Sequence, residues 1–564
     1  MATALVTRDD LRHPRSRRRG ALNGWTLFTL AVAAAVATPV LVVVGFVFVP
    51  AGEVWDHLAA TVLPRYLRNS VLLILGVGAG VVIGGVGTAW LVTVCRFPGR
   101  RLFEWALLLP MALPAYVIAY TYAGLMDFAG PVQTLLRDSF GWSRADYWFP
   151  QVRSLPGAIL MMTLVLYPYV YLLARAAFLE QSACVLEVSR TLGCGPWRSF
   201  AIVALPLARP AIAAGVALAL MEALNDFGAV QHFGVDTFTT GIYRTWLGMG
   251  EPAAAAQLAA ILLLFIFAVL LLERWSRGRR GFAHSSTRYR DLPRYRLDGP
   301  KRWAAAVFCA LPLLFGFVVP VGALLDGTLA TAESWVDRDF LRLVANSFIL
   351  AAVAASLAVA IAVLMAYALR LRRNRFIVGA ARVASMGYAV PGSVIAVGVM
   401  LPLAAIDNAF DAWTRAAFGV SVGLLLSGTI FAVTFAYLVR FLALSFNTVE
   451  ASLAKVTANM DYAARSLGHG PAGTLRRVHG PMIRGSVLTA GILVFVDVMK
   501  ELPATLVLRP FDFDTLATRT YELASDELLV EASGSALAIV LVGIVPVVLL
   551  SRAIARSRPG HAAG

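Results

Sequence analysis

The sequence predicts an all-α membrane protein of about twelve transmembrane helices, arranged as two parallel repeats of six. Three observations carry this. Of its 564 residues, 59% are hydrophobic and only 15% charged, with mean hydropathy +0.73; soluble domains run near 45–50% and about 25%. Apolar runs of more than 18 residues recur along the whole chain, and about 20 residues cross a bilayer. Finally, a set of short sequence landmarks appears twice, nearly one half-chain apart.

The expected spans are 25–49, 70–94, 103–126, 157–178, 211–231, 254–272, 303–325, 346–369, 379–405, 420–444, 485–507 and 530–550. The Arg-rich start, Arg8 to Arg19, places the N-terminus inside, because cytoplasmic loops concentrate Lys and Arg. On that topology 37 Lys and Arg fall inside or at inner edges, 11 fall outside, and Lys500 lies within a span. Both termini are then cytoplasmic. The net charge of +16 is explained by this sorting, and a nucleic-acid partner is not required. Ser16-Arg17-Arg18 is read as the positive flank of an uncleaved first span rather than as an export signal. Cys95, Cys184, Cys194 and Cys309 form no CxxC, so a disulfide framework or zinc site is not expected.

The division expected along the chain is a basic cytoplasmic tail (1–24), a first six-span unit (25–272), a basic cytoplasmic linker (273–302), a second six-span unit (303–550) and a cytoplasmic tail (551–564). Asn69-Ser70 corresponds to Asn346-Ser347, and Pro114 to Pro391, both at an offset of 277. Asp236-Thr237 corresponds to Asp514-Thr515, with Tyr243 and Tyr521 seven residues after each aspartate. Each unit has an even number of spans, so the repeat is parallel rather than inverted. Gly76, Gly80 and Gly84 form a small-residue stripe on the second span, read as a close helix contact.

Between the fourth and fifth spans lies LEVSRTLGCGPWRSFAIVALPLARPA (186–211), and between the tenth and eleventh DYAARSLGHGPAGTLRRVHGPMIRGS (461–486). Gly193 answers Gly468, Gly195-Pro196 answers Gly470-Pro471, and Pro206 and Pro481 each fall thirteen residues after the first glycine. Each loop reads as a short helix, a glycine turn, and a second short helix ending before the proline. Trp197, Phe200 and Val203 give the second helix an apolar stripe. Such a knob can pass a rigid-body push from a soluble partner to the spans; the alternative is an amphipathic helix lying on the inner leaflet.

Each unit also carries a pair of acids within a span: Glu222 and Asp226, then Asp497 and Glu501 with Lys500 between. Residues four apart share a helix face, and ionisable groups at membrane depth face a cavity or a partner. Three roles stay open: lining a translocation pathway, bracing helices against Lys500, Asn225 or backbone donors, or sitting in a wet outer mouth. Carboxylates suit a hard metal cation or an organic cation alike, and no resident metal site is indicated. The chain has three lysines, Lys301, Lys455 and Lys500, none following a glycine. The Walker phosphate loop GxxxxGK[ST] is therefore absent.

The paired loops resemble the "EAA" loop of binding-protein-dependent ABC importer permeases: Glu-Ala-Ala, three residues, Gly, nine residues, an aliphatic, one residue, Leu-Pro. The first copy has Glu187-Val188-Ser189 at the acidic end; the second has Tyr462-Ala463-Ala464, with Asp461 one residue early and Gly480-Pro481 for Leu-Pro. The surroundings of the acids, MEALNDFGAV and VFVDVMKELPATLVLRPFDFDTLATRTYELAS, are similar to fused iron(III)-transport permeases of that superfamily. The resemblance covers roughly 25–550 and implies the type I importer permease fold. It also implies a coupling role for Glu187, Gly193, Gly195, Pro196, Pro206, Asp461, Ala463, Ala464, Gly468, Gly470, Pro471 and Pro481. The implied partners are two separate ATPase subunits carrying ATP-Mg and a periplasmic or lipid-anchored substrate-binding protein. The chain itself would be no enzyme and would sit in a bacterial inner membrane. Fused thiamine and phosphonate permeases look alike at this level. A proton-coupled secondary transporter could also combine twelve spans, a parallel repeat and buried acids, but it needs no pair of matching glycine-proline loops.

Overall fold

The computed structural model describes residues 23–50, 52–180, 189, 191–193, 195–277, 294–331 and 337–556. The start of the basic tail, most of the linker, Cys184, Glu187, Arg190, Cys194 and residues 557–564 lie outside the described residues. Among the described residues, eleven helices are long and apolar enough to cross a membrane, and one bent pair, Arg100–Ala112 with Ala115–Phe140, makes a twelfth. The only strands among the described residues are Cys95–Arg96 and Tyr295–Arg296, which pair in parallel and tie the linker's end to the end of the second span.

Five spans differ from the expected ones, each for a local reason. The third, expected as one helix over 103–126, bends by 91° at Leu113-Pro114. The ninth, expected over 379–405, breaks in the same way between Gly387–Ala389 and the helix Gly392–Phe418, at Val390-Pro391. The residue before a proline is driven out of helical geometry, so the matched prolines mark matched breaks. The tenth span, expected over 420–444, is Ile430–Leu453. Residues just before it are held in a turn, where Asp411 accepts from Val422 and Gly423 N–H and Asp407 accepts from Leu426 and Ser427 N–H. Hydropathy alone does not register those caps.

The fifth and eleventh spans, expected over 211–231 and 485–507, instead run from Trp197 to Asn225 and from Pro471 to Met499. Each begins inside its loop. At 29 residues each is about 44 Å long, well beyond the roughly 30 Å hydrocarbon core. The second short helix of each loop therefore does not end before the proline; it continues into the span through a π turn, Phe200–Ala204 in one case and Leu475–His479 in the other. A third π turn, Leu314–Val318, precedes Pro320. Proline offers no N–H and its ring collides with the carbonyl four residues back; a locally widened turn accommodates it without ending the helix.

The two halves share internal geometry. Asn69 Nδ2 donates to the Asp236 carbonyl at 2.9 Å, and Asn346 Nδ2 donates to the Asp514 carbonyl at 3.1 Å. Thr237 and Thr515 each close a capping box with the threonine three residues on. The landmarks recognised in the sequence are thus bonded partners. The glycine stripe packs the second span on the fourth: a Cβ on Gly76 would meet Ile159 at 2.6 Å, and one on Gly80 would meet Thr163 at 2.5 Å.

Contiguity in sequence does not carry over to packing, because the first spans are exchanged. The helix Gly24–Gly45 lies on the second half, with Trp25 edge-on to Tyr367 and the Pro39 carbonyl against Gly398. Pro300–Leu313 and the π turn after it lie on the first half, where Tyr122 Oη donates to the Phe315 carbonyl and Phe308 covers Gly87.

Candidate translocation and coupling site

The four candidate acids meet around one cavity of about 90 Å³, which Arg440 and Lys500 also line. They do not occupy two continuous helix faces, as their four-residue spacing suggested. The fifth span stops at Asn225, where Asp226 has extended backbone (φ −65°, ψ 136°) and its carboxylate accepts from Ala229 N–H at 2.9 Å and Val230 N–H at 3.2 Å. The eleventh stops at Met499, and Glu501 accepts from Ala504 and Thr505 N–H, both at 3.0 Å, and from Thr505 Oγ1. Each acid caps the short helix that follows its break, Gly228–His232 or Pro503–Leu508, satisfying backbone donors that would otherwise be orphaned.

Glu222 and Asp497 precede the breaks and face cations. Lys500 Nζ lies 2.9 Å from Asp497. Arg440 reaches Glu501 at 3.0 Å and Glu222 at 3.8 Å. Arg440 and Glu501 are buried, at 6% and 4% exposure. Lining the cavity and bracing the helices therefore describe the same side chains. Four carboxylates and two cations leave a formal charge of −2. Among the described residues, no three acids, histidines or cysteines gather as a metal-ligand set.

The broken third and ninth spans complete the walls. Pro114, Ala115 and Tyr116 line the cavity, and Gly392 N–H donates to Asn225 Oδ1 at 2.6 Å, joining the halves. Gly392 has no room for a side chain: a Cβ would lie 2.6 Å from Glu501 Oε1 and 3.0 Å from Arg440 Nη1. Tyr243 Oη donates to the Pro503 carbonyl, and Phe227 stacks on Tyr243 at 3.9 Å. On the side of the loops, a larger cavity of about 570 Å³ shares Tyr169, Tyr388, Asp497 and Lys500 and extends to Ser385 and Asn447. Glu222 and Asp497 each lie sixteen residues beyond the loop proline, about 24 Å along the helix.

Arg440 lies at the inner edge of the tenth span expected from hydropathy, and the observed span, Ile430–Leu453, carries it toward the middle instead. The legible signal was a single cation inside FAYLVRFLAL.

In the loops, Gly193 and Gly468 adopt φ +76° and +81°, with nothing within 4 Å of a built Cβ. Glycine is needed there for the left-handed turn rather than for space. Beside them Leu192 and Leu467 are each 77% exposed, and Trp197 and Tyr462 are exposed as well. Gly195 and Gly470 are open, and Pro196 and Pro471 start the second helices. Pro206 and Pro481 stand in the first turn after each π turn. Ala463 is exposed and Ala464 buried.

Asp461 points inward: it binds Arg370 at 2.8 and 3.0 Å and lies 2.6 Å from His479 Nε2. Arg370 also donates to the Leu453 and Val456 carbonyls, and Tyr367 Oη donates to the Pro471 carbonyl. The second loop is thereby fastened to the end of the eighth span. The described part of the first loop is held by Ser189 and Ser199, whose hydroxyls are 2.6 Å apart.

Residues 80–280 match the family model "Binding-protein-dependent transport system inner membrane component". The chain is 29% identical over 494 residues to the Fe(3+)-transport system permease protein FbpB 2 of Haemophilus influenzae, covering 87% of this chain and 90% of that protein. It is 24% identical over 497 residues to the putative ferric transport system permease protein FbpB 1 of the same organism, covering 84% and 73%. It is 31% identical over 207 residues to the molybdenum transport system permease protein ModB of Escherichia coli, covering 35% of this chain and 87% of that protein. These likenesses, with two six-span halves in one polypeptide, show that the chain belongs to the binding-protein-dependent transport system inner membrane components, as a fused ABC importer permease of the type I fold.

Proposed function

We propose that this chain is the membrane permease of an ATP-driven ferric iron importer. Iron is delivered by a periplasmic or lipid-anchored binding protein, and ATP hydrolysis by two separate ATPase subunits drives transport. The observation that carries the reading is the convergence of Glu222, Asp226, Asp497 and Glu501, from both halves, on one cavity, in a chain that aligns along most of its length with a permease named for Fe(3+) transport. The halves meet at this cavity, so their relative movement alters it directly. The loops at 189–199 and 458–475 are the coupling elements on this reading, each presenting an exposed leucine beside a left-handed glycine. Because each loop helix continues into a span, displacement at the loop is carried along a rigid rod to the cavity wall. The N-terminus and C-terminus are both cytoplasmic, consistent with the distribution of Lys and Arg.

Arg440 and Lys500 in the same cavity, with the likeness to a molybdenum permease, favour a second reading in which the cargo is an oxyanion. A cargo panel in proteoliposomes containing the permease, its ATPase and its binding protein separates the two. ATP-dependent uptake of ferric iron supports the proposal. Uptake of molybdate, thiamine or a phosphonate in its place retains the machine and rejects the iron. Uptake driven by a proton gradient without ATP rejects both.

A further inference from the structure

We propose that Arg440 is the internal counter-ion of the cavity: its guanidinium holds Glu222 and Glu501 together while the site is empty and gives up Glu222 when a cationic cargo enters. The inference rests on the cation-import reading above. Its basis is placement. Arg440 belongs to the second half, Glu222 to the first, and Glu501 to the second, so the 3.8 Å and 3.0 Å contacts bind the halves together through one side chain.

The polar groups that share the cavity with the guanidinium come from both halves. Glu222 stands on the fifth span with Asp226 just past its end, Asp497 on the eleventh with Lys500 and Glu501 just past its end, Tyr388 beside the break of the ninth, and Tyr116 after the break of the third. Two features distinguish Arg440 from a purely structural cation. Its Nε is buried without an acceptor, so its hydrogen-bonding capacity is incompletely used. Glu501 keeps its capping bonds to Ala504 and Thr505 independently of Arg440, and among the described residues the Glu222 carboxylate has only the longer contact. The Glu222 side of the bridge is therefore the part that can open.

A buried charge is strongly disfavoured when its partner leaves. Cargo and Arg440 consequently exclude each other from Glu222: an incoming cation supplies the positive charge that Arg440 withdraws, and its departure restores the ion pair. The built-in competitor weakens resting affinity and speeds release to the cytoplasmic side.

The test uses the full permease–ATPase complex in lipid nanodiscs and gallium(III) as a redox-inert trivalent probe. Arg440→Gln is expected to bind gallium(III) about tenfold more tightly than the unaltered protein, within the 5–150-fold range of typical site coupling, and to release it more slowly. Arg440→Lys, which keeps the charge but loses the planar fork, should fall between. A thermal-unfolding cycle of Arg440→Gln with Glu222→Gln should show coupling between the two residues. If folded Arg440→Gln binds the probe no more tightly, or more weakly, while the unaltered protein does bind it, the exchange is wrong although cation import stands. If neither the unaltered protein nor any variant binds the probe, the cation reading fails and the exchange with it.

Discussion

Asn346 donates its side-chain amide to the carbonyl of Asp514, and the first half repeats the bond from Asn69 to Asp236. In each half this fastens the start of a long outer helix to the segment that follows the acid-bearing break. Asn69→Ala and Asn346→Ala should each cost about 1 kcal/mol. The two effects should be similar and additive in thermal unfolding, since the sites lie in different halves and share no partner. Unequal or strongly coupled losses would show that the halves do not use the bond in the same way.

Gly392 and Gly468 are both glycines, for different reasons, and alanine separates them. At Gly392 the new methyl meets Glu501 and Arg440, a steric conflict expected to cost about 1–3 kcal/mol and to depress transport. At Gly468 the methyl meets nothing but must adopt φ +81°, which costs about 1–2 kcal/mol locally. Thermal unfolding checks the first. Co-purification of the ATPase checks the second, and paired tryptophans at Gly193 and Gly468 should abolish it.

Asp461 gives a sharper test of the second loop. Its carboxylate is engaged by Arg370 and His479 within the chain, so Asp461→Asn should loosen the loop. With Asp461 and Arg370 only partly exposed and His479 buried, a loss of about 1–3 kcal/mol is expected. Arg370→Gln should give much the same phenotype, and the double variant little more. Additive losses in ATPase binding would instead place Asp461 at the partner's surface.

Asp226 and Glu501 act as caps as well as charges. Asp226→Asn retains a side-chain oxygen for the Ala229 and Val230 N–H groups and should fold nearly normally. Asp226→Ala should cost about 0.5–2 kcal/mol. Unfolding measured for both, alongside transport, divides the structural contribution of this carboxylate from its charge.

The parts of this fold legible in the sequence were those set by composition and repetition. Hydropathy and the matched Asn-Ser, Pro and Asp-Thr landmarks gave the twelve-span count and the two halves, and the Asn and Asp landmarks are bonded to one another. Local polar chemistry escaped the same approach. The caps made by Asp407 and Asp411 displaced the tenth span and hid Arg440. The helix breaks at Asp226 and Glu501 turned an apparent i,i+4 face into two caps. The π turns before Pro206 and Pro481 carried helices through prolines that read as ends. The exchange of first spans between halves is a property of packing, with no mark in either segment's composition.

The most direct measurement of the central claim is ATP-dependent uptake of radiolabelled ferric iron by proteoliposomes holding this chain, its ATPase and its binding protein, run beside Glu222→Gln and Asp497→Asn. Neither acid caps a helix, and the amides keep a side-chain oxygen toward Lys500 and Arg440, so these variants should fold and retain the ATPase. The account predicts iron uptake by the unaltered chain and a loss of about tenfold or more in each variant, the scale of a removed charged contact. Absence of iron uptake, or uptake undiminished when both acids are neutralised, would contradict it.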